Sequence, residues 1–216
     1  HLHVVFAIDR AGLVGDDGPT HHGVFDIGFL KQMPGMRILN PVSLAEQKDM
    51  LRWAVEDYDG PVAIRYPRGT EGSYKNSGWQ GLNGGLVRRH REGGDVALIT
   101  YGSTLDNVLA AAEALEKQGI GACVLRLLSV WPLPAEELTA CLGDIPQAVV
   151  VEETASGSGI QESLGWALGE ILPGCKLHGI DLGRDFVPHG SLKELYQRCG
   201  LDGDSIAAYV RKVLAR

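Results

Sequence analysis

The run Val4-Val5-Phe6-Ala7-Ile8 stops abruptly at Asp9-Arg10. An unbroken apolar run without polar alternation is the pattern of a strand covered on both faces, as in parallel sheets. Met36 to Leu39 repeats the pattern before Asn40-Pro41, and Val62 to Tyr66 repeats it before Pro67-Arg68-Gly69. Helical stretches separate these strands. One is read from Val24 to Gln32. Another follows Ser43-Leu44-Ala45-Glu46, which matches a capping box in which hydroxyl and carboxylate satisfy free backbone donors. Leu44, Leu51, Val55 and Tyr58 share roughly one face of that helix, and Asp59-Gly60-Pro61 ends it.

Thr70 to Gly85 turns to Gly, Ser and Asn with little periodicity, so residues 70–85 read as a linker. Trp79 and Leu82 predict that it packs on a surface. The alternation then resumes. Leu86 to His90 and Val96 to Tyr101 read as strands about the turn Glu92-Gly93-Gly94-Asp95. Ser103 or Thr104 can cap a helix through Leu105, Val108, Leu109, Ala112 and Leu115, and Gly119 stops it. Further strands are expected at Ala122 to Leu128, Ala148 to Glu152 and Lys176 to Asp181. Helices are expected at Ala135 to Cys141 and Ile160 to Leu172. Ser191-Leu192-Lys193-Glu194 is a second capping box, and Asp204 is the expected cap of a terminal helix from Ser205. Strand alternating with helix predicts an α/β fold with mostly parallel sheets and right-handed crossovers. The expected sections are residues 1–69, the linker 70–85, and residues 86–216. A chain that opens on a strand with no lead-in is expected to start partway through a domain.

The formal net charge of −7 argues against general nucleic-acid binding, which needs basic surface. No apolar run reaches the length of a membrane span, so no membrane partner is expected. Cys123, Cys141, Cys175 and Cys199 form no C-x-x-C pair and read as reduced thiols in a reducing, cytoplasmic compartment.

Ligands of open α/β sheets bind beyond the carboxyl ends of the strands. Arg10 follows the first strand and Arg68 the third. Parallel pairing would bring both to one rim, where two guanidinium forks suit a phosphate monoester. The alternative is that each is a surface or ion-pairing residue. The loop Asp16-Asp17-Gly18-Pro19-Thr20-His21-His22-Gly23 carries carboxylates and imidazoles able to move protons; it could equally be a solvated turn, and its spacing is poor for a metal. Glu152-Glu153-Thr154 and Gly157 to Gly159 read as a structural connection, since they lack the Gly-rich phosphate fingerprints, and His189, a lone histidine before a capped helix, reads as a packing or capping residue.

Three motifs taken together, Phe6-Ala7-Ile8-Asp9-Arg10-Ala11-Gly12-Leu13-Val14-Gly15, Asp17-Gly18-Pro19-Thr20-His21-His22-Gly23 and Arg65-Tyr66-Pro67-Arg68-Gly69, resemble the 1-deoxy-D-xylulose-5-phosphate synthases, a transketolase-like family. Leu133-Pro134, Val151-Glu152-Glu153 and Asp185-Phe186-Val187-Pro188-His189-Gly190 extend the resemblance along the chain. The resemblance implies a partial pyrimidine-binding domain followed by a transketolase C-terminal domain. It implies condensation of pyruvate with D-glyceraldehyde 3-phosphate, with loss of CO2, in a homodimer that uses thiamine diphosphate and Mg2+ and feeds isoprenoid and thiamine biosynthesis. By the same resemblance Arg10 and Arg68 hold the substrate phosphate, His21 faces the reacting carbons and handles protons, and Asp17 is an active-site aspartate of the same loop, the two forming the catalytic pair of candidates. No residue here corresponds to a cofactor or metal ligand, so this stretch alone is expected to be inactive and to bind neither. The rival readings are a transketolase or 2-oxoacid dehydrogenase subunit, or a non-catalytic assembly module.

Overall fold

The computed structural model describes residues 2–215; His1 and Arg216 lie outside the described residues. Two sheets share the apolar core. The first contains strands β1 (Val4–Ile8), β2 (Arg37–Leu39), β3 (Pro61–Arg65) and β7 (Ser129–Trp131) in the order β1-β3-β2-β7. β1, β2 and β3 are parallel, and β7 pairs antiparallel with β2. The second sheet contains β4 (Val87–Arg91), β5 (Val96–Thr100), β6 (Ala122–Leu127), β8 (Gln147–Val151) and β9 (Lys176–Ile180) in the order β4-β6-β5-β8-β9. Only its edge strand β4 runs antiparallel. The helices are α1 (Asp26–Leu30), α2 (Leu44–Glu56), α3 (Leu105–Glu116), α4 (Ala135–Leu142), α5 (Gln161–Ile171), α6 (Leu192–Cys199) and α7 (Gly203–Leu214). Among the described residues none of them is long and apolar enough to cross a membrane.

The mostly parallel α/β architecture agrees with the sequence reading, and several local expectations need correction. β1 is not covered on both faces. Among the described residues it is an edge strand paired with β3, and Val4 and Phe6 are 37% and 38% exposed. β4 and β5 do not pair across their connecting turn, because β6 lies between them. β7, unread in the sequence, carries the chain from the second sheet back to the first and joins the two layers. The terminal helix is capped by Asp202, whose carboxylate accepts the Ser205 N–H at 3.2 Å, rather than by Asp204. The expected linker packs as read: Trp79 is buried against Trp53, with ring centroids 5.1 Å apart.

Helix α2 departs furthest from its pattern. Ser43 caps it, accepting the Glu46 N–H at 3.1 Å, but Glu46 does not return the bond to Ser43. Its fully buried carboxylate takes both Arg126 guanidinium nitrogens instead, at 2.7 and 3.0 Å, along with the N–H groups of Val42 and Gly78. That pair draws Glu46, Met50 and Ala54 inward. Leu44, Leu51 and Val55 do share a face, but the face is exposed.

Arg126 also donates through Nε to His90 Nε2 at 3.1 Å. Burial, and secondly the Arg126 cation, depress the His90 imidazole from 6.5 to about 4. The unfolded chain takes up that proton near pH 6.5, whereas the folded chain resists it until about 4. This contribution to stability is therefore present above pH 6.5 and lost as the pH falls toward 4. A His90→Gln variant keeps an acceptor for Arg126, and its stability should fall less steeply across that window. Denaturant titrations at several pH values check this; equal slopes for both proteins would remove His90 from the network's acid sensitivity.

Candidate functional site

The β1–β3 register pairs Ile8 with Arg65 in parallel, so both strands end at the same rim. The pairing runs on past the strands: Tyr66 N–H donates to Ile8 O, and Ala11 N–H to Tyr66 O, both at 3.0 Å. Arg10 and Arg68 follow on this one edge, in loops that continue the ladder. Arg10 is the one non-glycine residue with positive φ among the described residues, at 57°. The Arg10 carbonyl accepts the Gly23 N–H at 3.0 Å, which folds the 9–23 segment back on itself.

The two guanidinium groups converge on one oxygen. Asp17 Oδ2 lies 2.9 Å from Arg68 Nη1 and 3.8 Å from Arg10 Nε. Arg10 Nη1 also meets Asp9 at 2.5 Å. Arg10 and Arg68 remain 41% and 51% exposed, and Asp17 28%, so this is an open cluster rather than a buried carboxylate clamp. Exposed ion pairs contribute about 0–1 kcal/mol, so Asp17 is a weak competitor for a strongly charged anion. His21 stands exposed on the same loop, with Nδ1 3.0 Å from the Thr20 hydroxyl. Arg68 also borders a cleft of about 230 Å³ against Ser103, Asp106 and Tyr196 of the second section.

The second section holds this rim in place through residues that the sequence reads as a structural connection. Glu153 is buried, and its carboxylate accepts the Leu13 N–H at 2.8 Å and the Ser103 hydroxyl at 2.7 Å. Burial pushes its carboxyl upward, opposed by the Ser103 and Leu13 hydrogen bonds. Gly12, at φ 76°, passes directly over this carboxylate; a Cβ there would collide with Glu153 Oε2. Glu152, also buried, accepts Tyr101 Oη at 2.8 Å, Ile160 N–H at 2.9 Å and Gln161 N–H at 3.3 Å. The start of α5 is thereby filled by the chain's own carboxylate, so the connection is structural, as its lack of a phosphate fingerprint indicates. Asp26 and Arg65, buried together at 2.7 Å, complete the floor, and Arg65 Nη2 donates to Gly23 O at 2.6 Å.

Two family models match the chain in succession, and β7 of the first sheet falls within the second of them. The model for the transketolase pyrimidine-binding domain matches residues 1–71, and that for the transketolase C-terminal domain matches residues 85–206. The chain belongs to the transketolase family. Within it, the 1-deoxy-D-xylulose-5-phosphate synthase of Chlorobium luteolum is 38% identical over 213 residues, covering 98% of this chain and 34% of that protein. The synthase of Chromohalobacter salexigens is 40% identical over 222 residues, covering 99% of this chain and 32% of that protein. The chain thus spans about a third of the length of the curated relatives it matches. Among solved structures, a split-gene transketolase described as an inactive beta4 tetramer superposes with a TM-score of 0.78 at 25% identity, covering 99% of this chain and 68% of that one. The transketolase of Campylobacter jejuni shares the fold, with a TM-score of 0.73 at 20% identity over 96% of this chain and 31% of its own.

Proposed function

We propose that this chain is the C-terminal part of a 1-deoxy-D-xylulose-5-phosphate synthase, and that its rim binds the phosphate of the acceptor aldehyde. The reaction is condensation of pyruvate with D-glyceraldehyde 3-phosphate and loss of CO2. The observation that carries the reading is the convergence of Arg10 and Arg68 on Asp17 Oδ2. Two cations meet there beside one weakly held carboxylate. An incoming phosphate would replace Asp17 with charge-assisted, fork-shaped hydrogen bonds, about twice as strong as neutral ones. Fixing the phosphate holds the aldehyde carbonyl at a set distance, so remote binding energy orients the reacting end. His21, exposed two residues beyond Pro19 on the same loop, would face that carbonyl and exchange protons with it.

Synthases of this family use thiamine diphosphate and Mg2+. By this reading the described residues contribute to acceptor binding, not to a metal or diphosphate site. The present residues account for acceptor binding and loop positioning, and the cofactor would be held by other parts of the assembled enzyme. Leu44, Leu51, Val55, Val4 and Phe6 leave apolar surface open, which supports assembly into an oligomer, by this reading a homodimer. Four free thiols fit a reducing cytoplasm. The solved split-gene relative, titled inactive, supports the further reading that this span does not catalyse alone.

The test is an assay of the complete enzyme carrying this sequence. Pyruvate and D-glyceraldehyde 3-phosphate should yield CO2 and 1-deoxy-D-xylulose 5-phosphate in equal amounts, with no dependence on ketose phosphates. Turnover of ketose phosphates in place of pyruvate would make the protein a transketolase instead.

A further inference from the structure

We infer that His22 is a positioning residue that ties the phosphate-binding rim to the second domain; this rests on the phosphate reading of Arg10 and Arg68. His22 is 7% exposed, in contrast to its neighbour His21. Its Nδ1 accepts the Val14 N–H at 3.1 Å. That acceptor role leaves the proton on Nε2, which donates to the Pro188 carbonyl at 3.3 Å. The imidazole is therefore a two-ended brace between the 13–17 loop and the 186–190 loop.

What it braces is the seat of Arg68. Val14 gives its N–H to His22 and its carbonyl to Arg68 Nη1, 3.4 Å away. The turn that follows, Gly15–Asp17, carries the carboxylate on which both arginines converge. The preceding peptide is held too, by Glu153 on the Leu13 N–H. Successive N–H groups of one loop are thus fixed by a carboxylate from the second domain and by His22 leaning on it. The same contact surface is tight elsewhere: a Cβ on Gly15 would lie 3.3 Å from Gly190 O, and one on Gly18 would lie 3.3 Å from His189 Cβ. A loop held this way presents Arg68 at one height above the rim. Without the brace, the Val14 peptide loses its partner and the arginine loses its seat.

The experiment compares the complete enzyme with its His22→Phe and His22→Asn variants. Phe keeps the ring's bulk without either nitrogen. Asn keeps an acceptor close to the Nδ1 position. His22→Phe should raise the KM for D-glyceraldehyde 3-phosphate about tenfold and leave that for pyruvate within about twofold, the scale of one lost buried hydrogen bond. His22→Asn should recover most of that loss. Hydrogen exchange at the Val14 amide, measured without substrates, should be about tenfold faster in His22→Phe and near wild type in His22→Asn. This second readout needs no turnover, so it decides the brace even if the parent enzyme proves to catalyse another reaction. Unchanged Val14 exchange in His22→Phe, or equal shifts in both KM values, overturns the inference. If His22→Phe does not fold, His22→Gln replaces it: Gln reaches Pro188 but not Val14, and exchange no faster than in His22→Asn would be equally fatal.

Discussion

Replacing Arg68 by alanine in the complete enzyme should raise the KM for D-glyceraldehyde 3-phosphate by about 10- to 100-fold while the KM for pyruvate moves by no more than about twofold. Hydrogen bonds to charged groups contribute about 1.5–3 kcal/mol, and each 1.4 kcal/mol is a factor of about ten. Arg68 brings a fork of donors to the rim, and its carboxylate partner Asp17 is exposed enough to yield. Arg10→Ala should behave the same way; the strain of φ 57° comes from the Cβ that arginine and alanine share, so it does not change. Arg10→Lys is the informative second variant, because it keeps the charge and loses the fork. Steady-state kinetics with each substrate varied separately supply the comparison. Equal changes for both substrates would mean that the arginines support the loop rather than hold a phosphate.

The largest stability effect should come from the Glu46–Arg126 pair. Both side chains are fully buried, and the pair joins helix α2 of the first section to strand β6 of the second. Tyr74 lies over the guanidinium, 5.5 Å from ring centroid to Cζ. Arg126→Met leaves the Glu46 carboxylate buried without its cation, and the expected cost is about 3–5 kcal/mol. Glu46→Gln strands the guanidinium in the same way and should cost a comparable amount. The double variant Glu46→Gln/Arg126→Met removes both charges and should be less destabilised than the sum of the singles. Denaturant midpoints for the four proteins measure this. Additive losses would show that the two charges do not depend on each other.

The rim was legible because its logic is short-range. Apolar runs ending in Asp9-Arg10 and in Pro67-Arg68 need only parallel pairing to meet, and the Ile8–Arg65 register supplies it. The strands and helices of the second section were legible for the same reason, through their local apolar periods; their caps were read less well, since Asp202 rather than Asp204 caps α7 and no side-chain bond from Thr104 caps α3. What could not be read depends on partners distant in the chain. Ser43 and Glu46 have the spacing of a capping box, yet Glu46 binds Arg126, and the pull of that pair turns Leu44, Leu51 and Val55 outward. Val4 to Ile8 has the composition of a central strand and stands at an edge, because composition does not encode which neighbours are present. β7 is too short to show a period. Glu153 and His22 gave only an indirect signal: Gly12, tight against Glu153, marks the spot where a carboxylate crosses the backbone, and a glycine alone does not say what crosses it.

The most direct measurement is the ratio of kcat/KM for D-glyceraldehyde 3-phosphate to that for unphosphorylated D-glyceraldehyde, in the complete enzyme and in its Arg10→Lys/Arg68→Ala variant. If the two guanidinium groups are the phosphate site, the parent enzyme favours the phosphorylated aldehyde strongly and the double variant loses most of that preference, with little change toward D-glyceraldehyde itself. A preference that survives intact in the double variant would place the phosphate elsewhere.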